Sequence, residues 1–181
     1  MHVSFIRNLV LLLLLFPQLS FGQSTARVRP FIIDTSVNLF AFVGERVSLT
    51  EYDPNADYDK PIRTEIDSTT GDKIVQRRSY IMDNAFDAKY KVLLSVFNDL
   101  HTDTIVFKAF DHYGQPTFES HSPVLLYLSK SDDGSYYFHH KYQFDPLMKG
   151  ESGYWVGKNG ESLQELFNLK KKTVFKPRGL F

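Results

Sequence analysis

Cysteine is absent from this 181-residue chain, and that absence removes several functions at once. It excludes a disulfide framework, a thiolate nucleophile and a cysteine zinc site. It also excludes a lipid anchor carried on a cysteine behind an export signal. No Asn-x-Ser/Thr acceptor occurs either, so there is no site for N-glycosylation. An excess of one charge is lacking too, with 21 basic residues against 21 acidic. A nucleic-acid binder needs a basic surface that releases counterions, and a polybasic membrane-surface protein needs the same sign. Neither is expected, and no motif implies a cofactor.

Long apolar runs are scarce. The one that stands out, Leu9–Phe16 (LVLLLLLF), follows Arg7 and is broken by Pro17 and Gln18. A spanning helix needs roughly 20 apolar residues, more than this run offers. Ser20 and Gly22 place small residues just ahead of Gln23, which completes the pattern of a cleavable signal peptide. Residues 1–22 are therefore expected to direct export, followed by a polar leader over 23–36 and one folded domain over 37–181. Arg7 is the only charged residue of that signal, so cleavage leaves 20 basic residues against 21 acidic. No later segment is long and apolar enough to span a bilayer as a helix. Secreted eukaryotic domains usually carry disulfides or glycosylation sites. Their absence points to a bacterial periplasmic or extracellular protein.

What is abundant is aromatic and β-forming sequence: sixteen Phe and ten Tyr supply a large payload for a small core. Val37–Thr50 is rich in β-branched and aromatic residues, with Gly44 where a bend or bulge would fall. Residues 53–83 then form a long loop or hairpin insertion, with candidate arms Arg63–Ile66 and Lys73–Arg77 around a Ser68–Asp72 turn. Ala88–Phe97 alternates apolar and polar residues, and Thr104–Phe110 follows after an Asn98-Asp99 turn. Val124–Ser129 is a near-continuous apolar run, as expected for a strand buried on both faces. An Asp132-Asp133-Gly134 turn leads into Tyr136–Phe144. There Tyr136, Phe138, His140, Tyr142 and Phe144 are expected on one face, and Tyr137, His139, Lys141 and Gln143 on a solvated one. One helix is expected after Ser162, whose Ser-x-x-Glu box ends at Glu165, with the lysines at 170–172 near its end. These elements predict a mostly β fold: a small antiparallel, OB-like β-barrel with one C-terminal helix.

Phe40–Tyr52 (FAFVGERVSLTEY), Ala88–Asp99 (AKYKVLLSVFND) and Thr102–Phe110 (TDTIVFKAF) come in that order, followed by a turn containing Gly114 and by Ser122–Tyr137 (SPVLLYLSKSDDGSYY). The series resembles the netrin-like domain, the OB-type barrel shared by tissue inhibitors of metalloproteinases. The resemblance implies a barrel used as a binding module. Those inhibitors chelate the catalytic zinc through an N-terminal cysteine, which this chain lacks. Inhibition therefore does not carry over, and no site residue transfers.

Candidate chemistry centres on the histidines. His139 and His140 are adjacent, so on a strand they point to opposite faces and cannot chelate one ion as neighbours. A metal site would need His121 or another group brought in by the fold. Flanked by Tyr and Phe, His140 reads more simply as a hydrogen-bonded core histidine. Asp111 and His112 lie in a turn, where an Asp-oriented histidine could act as acid or base. The plainer reading makes Asp111 a turn former and Gly114 its positive-φ residue. Gly150-Glu151-Ser152-Gly153 is one residue short of a nucleophile elbow. Asp53–Asp59 lacks the Gly and Glu of an EF-hand loop.

The expected function is a non-enzymatic exported barrel that binds a protein or another envelope component. A second reading is a small hydrolase or metal-dependent enzyme using Asp111, His112, His121 or His140. A third is a carrier of an apolar ligand.

Overall fold

The computed structural model describes residues 32–181, and the expected signal falls outside them. In chain order the strands are β1 (Phe40–Tyr52), β2 (Arg63–Ile66), β3 (Lys73–Gln76), β4 (Asn84–Phe97), β5 (Thr104–Asp111), β6 (Val124–Lys130), β7 (Tyr137–Pro146), β8 (Met148–Lys149) and β9 (Trp155–Val156). Helix α1 (Leu163–Lys170) runs on into a wider π turn, Lys171–Phe175.

Alternation in β6 shows how the sequence builds two cores at once. Val124, Leu126 and Leu128 point into a barrel, beside Phe42, Phe86, Tyr90, Phe107 and Phe118. Leu125 and Tyr127 point outward, beneath Leu163, Leu166, Phe167 and Phe175 of the C-terminal helical segment. A strand covered on both faces has no polar side to show, hence the unbroken apolar run. Val124–Ser129 is buried throughout.

The barrel closes in the order β1-β4-β5-β7-β6. Four of its seams are antiparallel. The fifth, β5 against β7, is parallel and short, with Phe107 opposite Tyr137 and Lys108 opposite Phe138. The expected barrel and helix are present, with this one parallel seam as a correction to an all-antiparallel sheet. Parallel neighbours need a crossover connection, here the excursion through β6. That strand order, with its third and fifth barrel strands parallel, is the Greek-key closure of an OB-type barrel.

Gly44 lets β1 bend into this closure. The β1–β4 register shifts between Val43 and Gly44. A Cβ at Gly44 would lie 2.9 Å from Phe42 Cε2 and 3.0 Å from Tyr90 Cδ1. A 3₁₀ turn, Thr117–Ser120, inserts Phe118 into the interior from one end, and Arg46 holds the turn through Glu119 at 2.6 Å. At the chain's entry, Asn98 sits at φ 51° and binds the strap before β1. Its Nδ2 donates to the carbonyls of Asp34, Val37 and Leu39, and its Oδ1 accepts from Asp34 N–H. Phe97 gathers both ends of the described chain, through a bridge to Ile32, ring stacking on Phe167 at 4.8 Å and contact with the Phe181 ring at 5.6 Å.

Residues 53–83 form an arm rather than an open loop. Strands β2 and β3 pair only with each other, and all eight of their residues are exposed. At its neck, Asn55 pairs its side-chain amide with the backbone of Ile81, at 2.7 and 2.8 Å, as a strand neighbour would.

Candidate functional site

The candidate residues from the sequence do not converge. Asp111 is buried and accepts from the Tyr113 N–H at 2.9 Å, a turn-forming role. His112, exposed, meets Asp83 rather than Asp111, with Nδ1 3.2 Å from Oδ1. Lys141 donates to both Asp83 oxygens, at 2.8 Å, and its hydrogen bond and charge hold the Asp83 carboxyl below its usual range, against the opposing effect of burial. His121 stacks on Phe144 at 5.6 Å. Among the described residues no group of three His, Asp or Glu side chains is placed to hold a metal ion.

His139 and His140 reverse the expected roles. His139 is 5 % exposed, packed on Phe118 at 4.6 Å, and its Nε2 donates to the Gln143 carbonyl at 2.7 Å. His140 is only half-buried and lies outside the barrel wall against Phe175. The cause is a bulge that strict alternation cannot anticipate. Leu126 faces Phe144 and Leu128 faces His139, so two steps along β6 span five along β7. Tyr142 takes φ 64° inside that bulge, and an odd number of steps brings His139 and Phe144 to the same interior face.

One pair has the look of a nucleophile and its base: Ser129 Oγ lies 2.7 Å from His140 Nε2. The Ser129 hydroxyl donates to the Asn38 carbonyl, so its oxygen accepts from Nε2–H. A serine whose proton is committed elsewhere is not being deprotonated by that histidine. Burial first, and then the positive charge of Arg178, lower His140 to about 4. Among the described residues no carboxylate is hydrogen-bonded to its ring. The pair serves to pin β6 and β7 to the strap.

A second polar cluster ties the helix to the barrel. Tyr127 donates to Asp145 Oδ2 at 2.7 Å, and Lys170 Nζ lies 3.7 Å from Asp145 Oδ1. Burial pushes the Asp145 carboxyl up and the Tyr127 phenol well up. Tyr90, sealed inside the barrel, has no hydrogen-bond partner for its hydroxyl among the described residues.

One feature of the surface that folding does not require is an apolar groove outside the barrel. It encloses about 1010 Å³ between the end of β4, the β8–β9 hairpin and the first turn of α1. Leu93, Leu94, Trp155, Val156 and Leu163 supply its walls, and Tyr154, 75 % exposed, stands at its edge. Trp155 is the single tryptophan of the chain. Lys149 is the one ionised side chain in the lining; its Nζ sits 3.6 Å above the Trp155 ring and donates to the Gly153 carbonyl at 2.9 Å. An ammonium has three N–H donors, so capacity remains for an anion. Sequence reasoning missed this groove. The available signal was Leu93, 40 % exposed where the β4 alternation calls for a polar residue. Comparison with family models, with curated proteins and with solved structures finds no match to this chain.

Proposed function

We propose that the chain is an exported, non-enzymatic binding module whose groove beside Trp155 takes an anionic amphiphile, a long-chain carboxylate of the cell envelope. The carrying observation is the groove itself: an apolar lining of ligand-pocket size with one cation, Lys149, at its rim. Apolar surface left in one open patch marks a contact site, and a lone ammonium within it matches a ligand with an apolar body and one negative charge. The barrel interior is the wrong place for such a ligand, since Phe86, Tyr90, Phe107 and Phe118 fill it. That filling supports a carrier reading at the outer groove over one in which the barrel holds the ligand. Export rests on the Arg7-to-Gly22 signal, and the netrin-like kinship, a barrel used for binding, remains part of the same proposal.

The chain carries its own probe. Titrating a long-chain carboxylate into the purified protein, below its micelle concentration, should shift Trp155 emission to the blue and saturate. Lys149→Glu should weaken that response by about tenfold or more, given charge-assisted hydrogen bonds of roughly 1.5–3 kcal/mol. A short-chain carboxylate should leave the emission unchanged. A response that rises linearly without saturation, or that ignores Lys149→Glu, would reject the reading.

A further inference from the structure

Five residues at the outer edge of the arm complement a copy of themselves. Ile62-Arg63-Thr64-Glu65-Ile66, laid antiparallel against its own copy with Thr64 on the axis, sets Ile62 opposite Ile66. The same register sets Arg63 opposite Glu65. Apolar meets apolar, and each charge meets its opposite.

The backbone agrees with this register. Beyond the paired residues, the Asp67 N–H donates to Asp72 O at 2.8 Å, and Arg63 and Glu65 stand opposite Gln76 and Ile74. In an antiparallel ladder, inward and outward main-chain groups alternate. Those of Arg63 and Glu65 therefore face β3, and those of Thr64 and Ile66 face outward. A register centred on Thr64 lets it exchange both bonds with its copy, while each Ile66 N–H meets the opposite Ile62 carbonyl. The far edge of the arm does not match itself in this way. The outward residues along that edge are Lys73 and Val75 of β3 and Arg77 just beyond its end, and a twofold at Val75 would set Lys73 against Arg77.

We infer that two copies of this chain pair through β2, forming a four-stranded β3-β2-β2-β3 sheet about a twofold axis. An isolated two-stranded ribbon is marginal in water, and three or more strands are needed for independent stability. An unprotected edge is a template for another strand. Ile62 and Ile66, 58 % and 73 % exposed, become each other's cover. The contact is small, so the dimer is reversible and concentration-dependent. It is isologous, as a twofold requires.

Sedimentation of the purified chain over a concentration series tests this, with barrel melting as the check on folding. The native chain should pass from one chain mass to two. Arg63→Glu or Glu65→Arg alone places like charges across the axis twice, and each should raise the dissociation constant about tenfold. An equimolar mixture of these two single variants restores opposite charges at every position, and association should return as a mixed dimer. Thr64→Pro deletes the N–H on the axis and should leave only monomer with the barrel melting unchanged. A native chain that stays monomeric throughout would refute the pairing. So would a dimer indifferent to these substitutions, or one that forms through a strand of another protein. None of these readouts depends on the groove at Trp155.

Discussion

Burial keeps both histidines of β7 neutral in the folded chain, lowering His139 from 6.5 to about 3 and His140 to about 4. The unfolded chain takes up those protons near pH 6.5, and the folded chain does not until pH falls to about 4 and then 3. Between these limits the unfolded state binds more protons, so stability is fully present above about pH 6.5 and declines as pH falls. The slope reaches up to about 1.4 kcal/mol per pH unit for His139, and less for His140, which keeps some solvent contact. The urea midpoint should therefore drop between about pH 7 and pH 5, and His139→Gln should flatten that decline more than His140→Gln. Equal effects would mean that the two side chains share one environment. His139→Ala should cost about 2–4 kcal/mol, because it opens a space beside Phe118 and orphans the Gln143 carbonyl. Of these residue-level facts, the sequence disclosed that the pair splits across two faces, since that follows from strand geometry alone. Which one faces inward depended on the bulge at Tyr142, whose φ of 64° belongs to a residue type that seldom takes it. Gly44 was the opposite case, a glycine in a strand where a bend had to be.

At the scale of elements, periodicity was readable wherever a strand had one dry face or two. Leu126→Ala should cost about 2–5 kcal/mol, since its side chain lies in the barrel interior with no exposure. A loss below about 0.5 kcal/mol in denaturant titration would mean the site behaves as surface. The capping box at α1 formed as its spacing demanded: the Glu165 N–H donates to Ser162 Oγ, and the Ser162 N–H donates to Glu165 Oε2 at 2.8 Å. The arm was legible as two short strands around a turn, with Gly71 at φ 77°. Its neck was not, because an asparagine side chain standing in for a strand neighbour leaves no periodic trace. The groove escaped for a related reason. Trp155 and Leu93 are far apart in the chain and come together only where the β8–β9 hairpin lies beside β4.

For the whole molecule, local pattern carried the barrel but not its closure. Nothing in the Thr104–Asp111 or Tyr137–Pro146 sequences announces that the two strands run parallel, because that seam follows from chain path. The proposed export is tested at this scale as well. Charged residues in place of Leu11–Leu15 should trap the precursor, as a signal's apolar segment must leave water, and sequencing the exported protein should find Gln23 first. Both ends of the described residues meet on Phe97. Ile32 bridges that residue's backbone while Phe181 leans on its ring, so the fold is nearly a circle with a nick. A short flexible link could join Phe181 to Ile32, and the chain could be reopened between Thr70 and Gly71, at the exposed tip of the arm. The order of strands along the gene would then change while their order around the barrel would not, leaving the new ends beside the very edge on which a second copy would pair.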